Sequence, residues 1–188
     1  MRRVIGWFGI VAALVLAAAF GASDQYLGSI PGMLWGVDVS LLSAPWLVLA
    51  FAAGATQREP RRAALLGLGC TIAALVGYFL MTDSPLENAH YSLANLHGFA
   101  ISEARVIVGA LVTGPLFGWF GQQWKTQRRL LAPLVVAGAL CLEPLARRAN
   151  GYPIHFRDVS LAEVAAGLLL ATYALLSHAR ARSSRNAS

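Results

Sequence analysis

The chain has 188 residues, 57% of them hydrophobic and 13% charged, with a net charge of +6 and a mean hydropathy of +0.58. A soluble domain carries about 25% charged residues because its surface must face water, so this composition excludes an ordinary water-soluble fold and assigns the apolar surplus to lipid. The basic residues flank apolar segments instead of forming a patch, and nucleic acid is therefore not an expected partner.

Six spans of about 20 residues with short connections nearly exhaust the length. The predicted fold is all-α, a polytopic membrane bundle of six transmembrane helices over residues 1–179. Segment one covers residues 4–21 behind Arg2 and Arg3; Ala19-Phe20-Gly21 would also suit a signal-peptide cleavage site, but a retained span is the reading adopted. Residues 22–40 read as a loop in which Trp35 is an interfacial anchor or part of a short surface helix. Segment two opens at Ser43-Ala44-Pro45-Trp46, with Pro45 in the first turn, where its missing N–H costs nothing. Residues 45–56 are too short to cross the hydrocarbon, so that helix must begin near Val39 and kink at Pro45, or insert only partly.

Segment three, residues 63–81, carries Gly69, Ala73 and Gly77, a small-residue stripe expected to let another helix approach closely. Segment four, residues 99–120, contains Pro115, which should bend it. Segments five and six cover residues 130–146 and 161–177, and the basic tail 180–188 is expected to be disordered. Trp46 and Trp124 fit interfacial anchors. Cys70 and Cys141 lie within apolar segments and read as buried thiols.

Orientation follows from the basic residues. With six spans and the N-terminus inside, Arg2, Arg3, Arg58, Arg61, Arg62, Lys125, Arg128, Arg129, Arg180, Arg182 and Arg185 are cytoplasmic, eleven of the fifteen. That bias sets both termini in the cytoplasm of a cell-membrane protein.

Three glutamates fall within or against the apolar segments, and ionisable groups there are costly enough to suggest function. Glu103, Glu143 and Glu163 should all lie about one turn beneath the outer face, together with Arg105 and Arg147. These five residues form the candidate ligand-binding cluster, over which Asp38, Glu87, His90, Tyr91, His97 and His155 could close. Simpler readings stand beside it. Ser160-Leu161-Ala162-Glu163 has the form of a capping box, and Glu143 and Arg147, four apart, can neutralise each other. Glu103 and Arg105 are two apart, roughly 200° around a helix, and cannot pair directly. No cofactor is expected, the histidine spacing matches no zinc pattern, and no HExxH, GxSxG or Walker A motif occurs.

At Ser43-Ala44-Pro45-Trp46, Arg61-Arg62-Ala63-Ala64-Leu65-Leu66-Gly67, Gly114-Pro115-Leu116-Phe117-Gly118-Trp119 and Leu142-Glu143-Pro144-Leu145, the chain resembles a family of uncharacterised six-span membrane proteins of actinobacteria. That resemblance implies topology and no activity. The layout is also similar to the substrate-binding S components of energy-coupling-factor transporters. Their small residues spaced by four on the first helix contact a membrane partner subunit, and Ala13 with Ala17, or Ala18 with Ala22, would correspond. The expected function is non-enzymatic binding of a small molecule at the outer face, associated with transport. The alternatives are a membrane enzyme acting on a lipid-linked substrate, with Glu103 and Glu143 as acid and base, and a structural or assembly role.

Overall fold

The computed structural model describes residues 7–87, 89–127, 129–151 and 155–186, with side chains as far as residue 180. The start of segment one, the flanking Arg2, Arg3 and Arg128, and the last two residues of the tail lie outside them. The elements in chain order are α1 (Trp7–Ser29), α2 (Leu34–Ser40), α3 (Ala44–Ala55), α4 (Pro60–Thr82), a single 3-10 turn (Pro85–Glu87), α5 (Leu93–Ser102), α6 (Ala104–Gln127), α7 (Leu131–Ala149) and α8 (Arg157–Asn186). Among the described residues there is no strand.

Among the described residues, four helices are long and apolar enough to cross a membrane: α1, α4, α6 and α8 over Arg157–Arg180. The pair α2 and α3, bent by 49° at its break, adds a fifth if counted as one span. α7 has 19 residues but carries Glu143, Arg147 and Arg148 near its end. Large apolar side chains point outward throughout, with Phe8 92% and Leu169 71% exposed. Water would penalise such a surface and lipid tails would not.

Several boundaries differ from the sequence reading, each for a local reason. α1 continues past Gly21 to Ser29, because an isolated helical glycine weakens a helix without ending it and the first proline is Pro31. The expected loop 22–40 is therefore mostly helix, and Trp35 lies in the short α2. α3 starts at Ala44 with Pro45 in its first turn, as the sequence suggests, but the bend lies at residues 41–43 and not at Pro45 itself. The span expected over residues 99–120 is divided at Glu103 into α5 and α6, and α6 continues through Pro115 to Gln127. α8 starts before residue 161 and remains helical to Asn186, into the tail expected to be disordered.

Small residues set the packing. α4 presents Gly69, Ala73 and Gly77 to α1, where Gly77 meets the Ala18 backbone. Its other face brings Gly67 against Gly114 and Gly118 of α6. A Cβ on Gly54 of α3 would overlap the Gly118 carbonyl, so α3 and α6 touch almost backbone to backbone. Such contacts replace the hydrophobic drive that lipid-facing helices lack. Ala13, Ala17 and Ala18 are taken up in the α1–α4 contact and are not presented to a partner. A second core joins Phe51, Phe117, Val136 and Leu140 of α3, α6 and α7, with Trp124 packed against it, so Trp124 is a core-edge residue. α8 rests mainly on α7.

Candidate functional site

The bundle has two polar ends. One carries Gln57 and Gln122, where the Gln122 amide donates to the Arg58 carbonyl at 2.8 Å. The other carries Asp24, Ser43, Glu103, Glu143 and Arg147, and it holds a cavity of about 500 Å³ bordered by α1 through α7.

The cavity exists because three elements break or turn at that level. The α2–α3 break exposes Ser40 and Ser43, Pro45 starts α3 so that Trp46 faces inward, and the α5–α6 break leaves Glu103 at the rim. Asp24, 9% exposed, projects from α1, and its Oδ2 accepts from Trp46 Nε1 at 3.3 Å. That length lies just beyond the usual N–H···O range, so the bond holds the carboxylate weakly. Aromatic rings continue the wall: the Trp46 and Tyr78 centroids are 6.2 Å apart, as are those of Tyr78 and Phe99. Glu103 and Arg147 complete the charged lining.

Next to the cavity, Glu143 of α7 reaches the start of α3. Its Oε1 accepts from the Ser43 amide at 2.5 Å and its Oε2 from the Ala44 amide at 2.6 Å. Arg147 Nε donates to Oε1 at 2.9 Å. A carboxylate from another helix thus satisfies free N–H groups of the α3 first turn and complements the helix dipole. The expected Glu143–Arg147 pair forms, and it also clamps two helices together.

Glu163 of α8 is buried, next to Val164, whose carbonyl accepts from the Cys141 thiol of α7 at 3.8 Å. Neither of its oxygens receives a hydrogen bond from a donor among the described residues. The expected capping box does not form, because α8 begins at Arg157 and leaves Ser160 and Glu163 inside the helix.

The five predicted residues therefore divide. Glu103 and Arg147 share the cavity, Glu143 and Arg147 form the adjoining clamp, and Glu163 is buried on α8 without a hydrogen-bond partner among the described residues. Arg105 is exposed and lines no described cavity. The loop group does not close over them as a unit. Asp38, fully buried, takes His155 Nδ1 at 3.0 Å and the Phe156 amide at 2.6 Å, latching α2 to the start of α8. Glu87 accepts from the Ser29 hydroxyl, Tyr91 donates to the Leu80 carbonyl at 3.0 Å, and His90 and His97 are exposed or at the surface. Among the described residues no three His, Cys, Asp or Glu side chains gather as metal ligands. The residue that sequence reasoning missed is Asp24. Its sequence signal is a lone acid following a long apolar run, and the loop expected over residues 22–40 hides it.

Apolar helices of this length, closely packed through small residues, define an all-helical multi-pass membrane protein. The chain belongs to DUF6518, a family of unknown function, which matches residues 3–187. Neither the curated proteins nor the solved structures contain a match to it.

Proposed function

We propose that the protein crosses the cell membrane six times with both termini in the cytoplasm, and binds a small molecule in the Asp24–Glu103–Arg147 cavity beneath the outer face. α7 supplies the sixth span, with its three charges confined to its outer end. The observation that carries the binding role is the cavity itself. About 500 Å³ of space has mostly apolar and aromatic walls and three charged side chains at one level, a composition typical of small-molecule sites. A binding subunit of an uptake system, comparable in layout to an S component, is the role this apolar, aromatic lining supports. Glu143 weighs against the enzyme reading, since its oxygens are engaged by Ser43, Ala44 and Arg147 and are not free to act as a base.

The test is native mass spectrometry of protein purified gently from its own membranes. Wild type should carry a non-lipid small molecule, and Ala110→Trp, which fills the cavity from α6, should lose it. Identical bound species in both proteins, or none in wild type, would contradict a binding role for this cavity.

A further inference from the structure

The charges around the cavity do not balance, and the imbalance identifies a ligand class. Asp24 is more than nine-tenths buried, and it forms no ion pair among the described residues; its one side-chain partner is the Trp46 indole N–H. Glu103 borders the same space, and it too forms no ion pair there, while Arg105 two residues on is exposed. Among the described residues the one cation in the lining, Arg147, is bound to Glu143 at 2.9 Å. A buried carboxylate without a compensating cation is expensive to maintain. The cavity therefore offers two acids against a cation that is already neutralised.

The walls refine the choice. Trp46, Tyr78 and Phe99 line the cavity as a run of rings, each 6.2 Å from the next. Aromatic faces attract cations through their quadrupole, and such cages are a recurrent solution for alkylammonium groups. A bare metal ion would find too few ligands in these walls, and an anion would meet both carboxylates. We infer that the ligand is an organic cation, with its charged centre between Asp24 and Glu103, against the Trp46–Tyr78–Phe99 rings, and its apolar part directed toward α6. This inference rests on the cavity being a ligand site.

Tetraphenylphosphonium and benzyltrimethylammonium serve as probes, with tetraphenylborate as an anion of nearly the same shape as the first. Binding is measured by calorimetry on the purified full-length protein in nanodiscs of a neutral lipid. At least one cation should bind saturably, and tetraphenylborate should not. Asp24→Asn and Glu103→Gln, which preserve shape, should each weaken cation binding roughly tenfold or more, and Trp46→Leu comparably. Glu59→Gln, at the opposite end, should bind as wild type. Melting temperatures identify any variant that fails to fold, and then the remaining variants decide. Binding of neither cation, equal binding of the borate, or unchanged affinity in folded Asp24→Asn and Glu103→Gln would each overturn the inference. A neutral or anionic molecule found in the native preparation and displaced by Ala110→Trp would overturn the cation assignment alone and leave the binding role standing.

Discussion

Glu143 does two things at once, closing the first turn of α3 and neutralising Arg147, whose side chain is only 14% exposed. Glu143→Ala removes the cap and strands a largely buried guanidinium. A loss of about 2–4 kcal/mol is expected, read as a lower melting temperature in detergent. Glu163→Gln should behave oppositely. The Glu163 oxygens accept no hydrogen bond among the described residues, so the shape-preserving amide should keep stability within about 0.5 kcal/mol of wild type or raise it. A large loss in Glu163→Gln would show that the carboxyl group has a partner the amide does not replace. At this scale the sequence revealed Glu143 with Arg147, because four-residue spacing on a helix is a local property. It could not reveal the Glu143 bonds to Ser43 and Ala44, a hundred residues away, nor that Asp24 and Trp46 meet, because both depend on how helices assemble.

Among the elements, α3, α4 and α6 are joined by glycines rather than interlocking side chains. Gly54→Leu places a branched side chain where the Gly118 carbonyl already stands. It should cost about 1–3 kcal/mol or prevent folding. Gly138→Ala is the matched control, since nothing lies within 4 Å of a Cβ there; removing a helical glycine should be neutral or gain up to about 1 kcal/mol. Thermal melts of the two variants separate close helix approach from a general intolerance of substitution. The small-residue stripe of α4 was readable from its four-residue repeat, and so was its packing role. The helix boundaries were less readable, because Pro and Gly announce breaks, whereas those near Leu41 and Glu103 carry no such residue. α1 also bears on processing. Gly21 sits against the Ala74 backbone and Ala18 against Gly77, so cleavage after Gly21 would strip a packed helix. Intact-mass measurement of the membrane-purified protein should therefore include residues 7–29, and a mass beginning at Ala22 would contradict a retained first span.

For the whole molecule, composition alone was enough to predict a helical membrane bundle, because 13% charge cannot cover a water-facing surface. The number of spans was harder to read, since α2 and α3 make a span only if the bent pair is counted as one and α7 ends in charges. In the bundle, neighbouring contacts fix direction: α4 opposes α6, α7 opposes α8, and α3 runs alongside α6. The six passes proposed above would return the chain to the side on which it began. A reporter fused after Ser188 should accordingly read cytoplasmic, and one inserted near Glu87 extracytoplasmic. The most direct test of a cavity beneath the outer face is labelling of single cysteines by a membrane-impermeant maleimide on intact cells, in a protein with Cys70 and Cys141 replaced. Glu103→Cys and Ser40→Cys should label from outside, whereas Gln57→Cys and Lys125→Cys should label only after permeabilisation. Labelling of Gln57→Cys or Lys125→Cys in intact cells, with Glu103→Cys and Ser40→Cys protected, would place the cavity on the cytoplasmic side and contradict the proposed role.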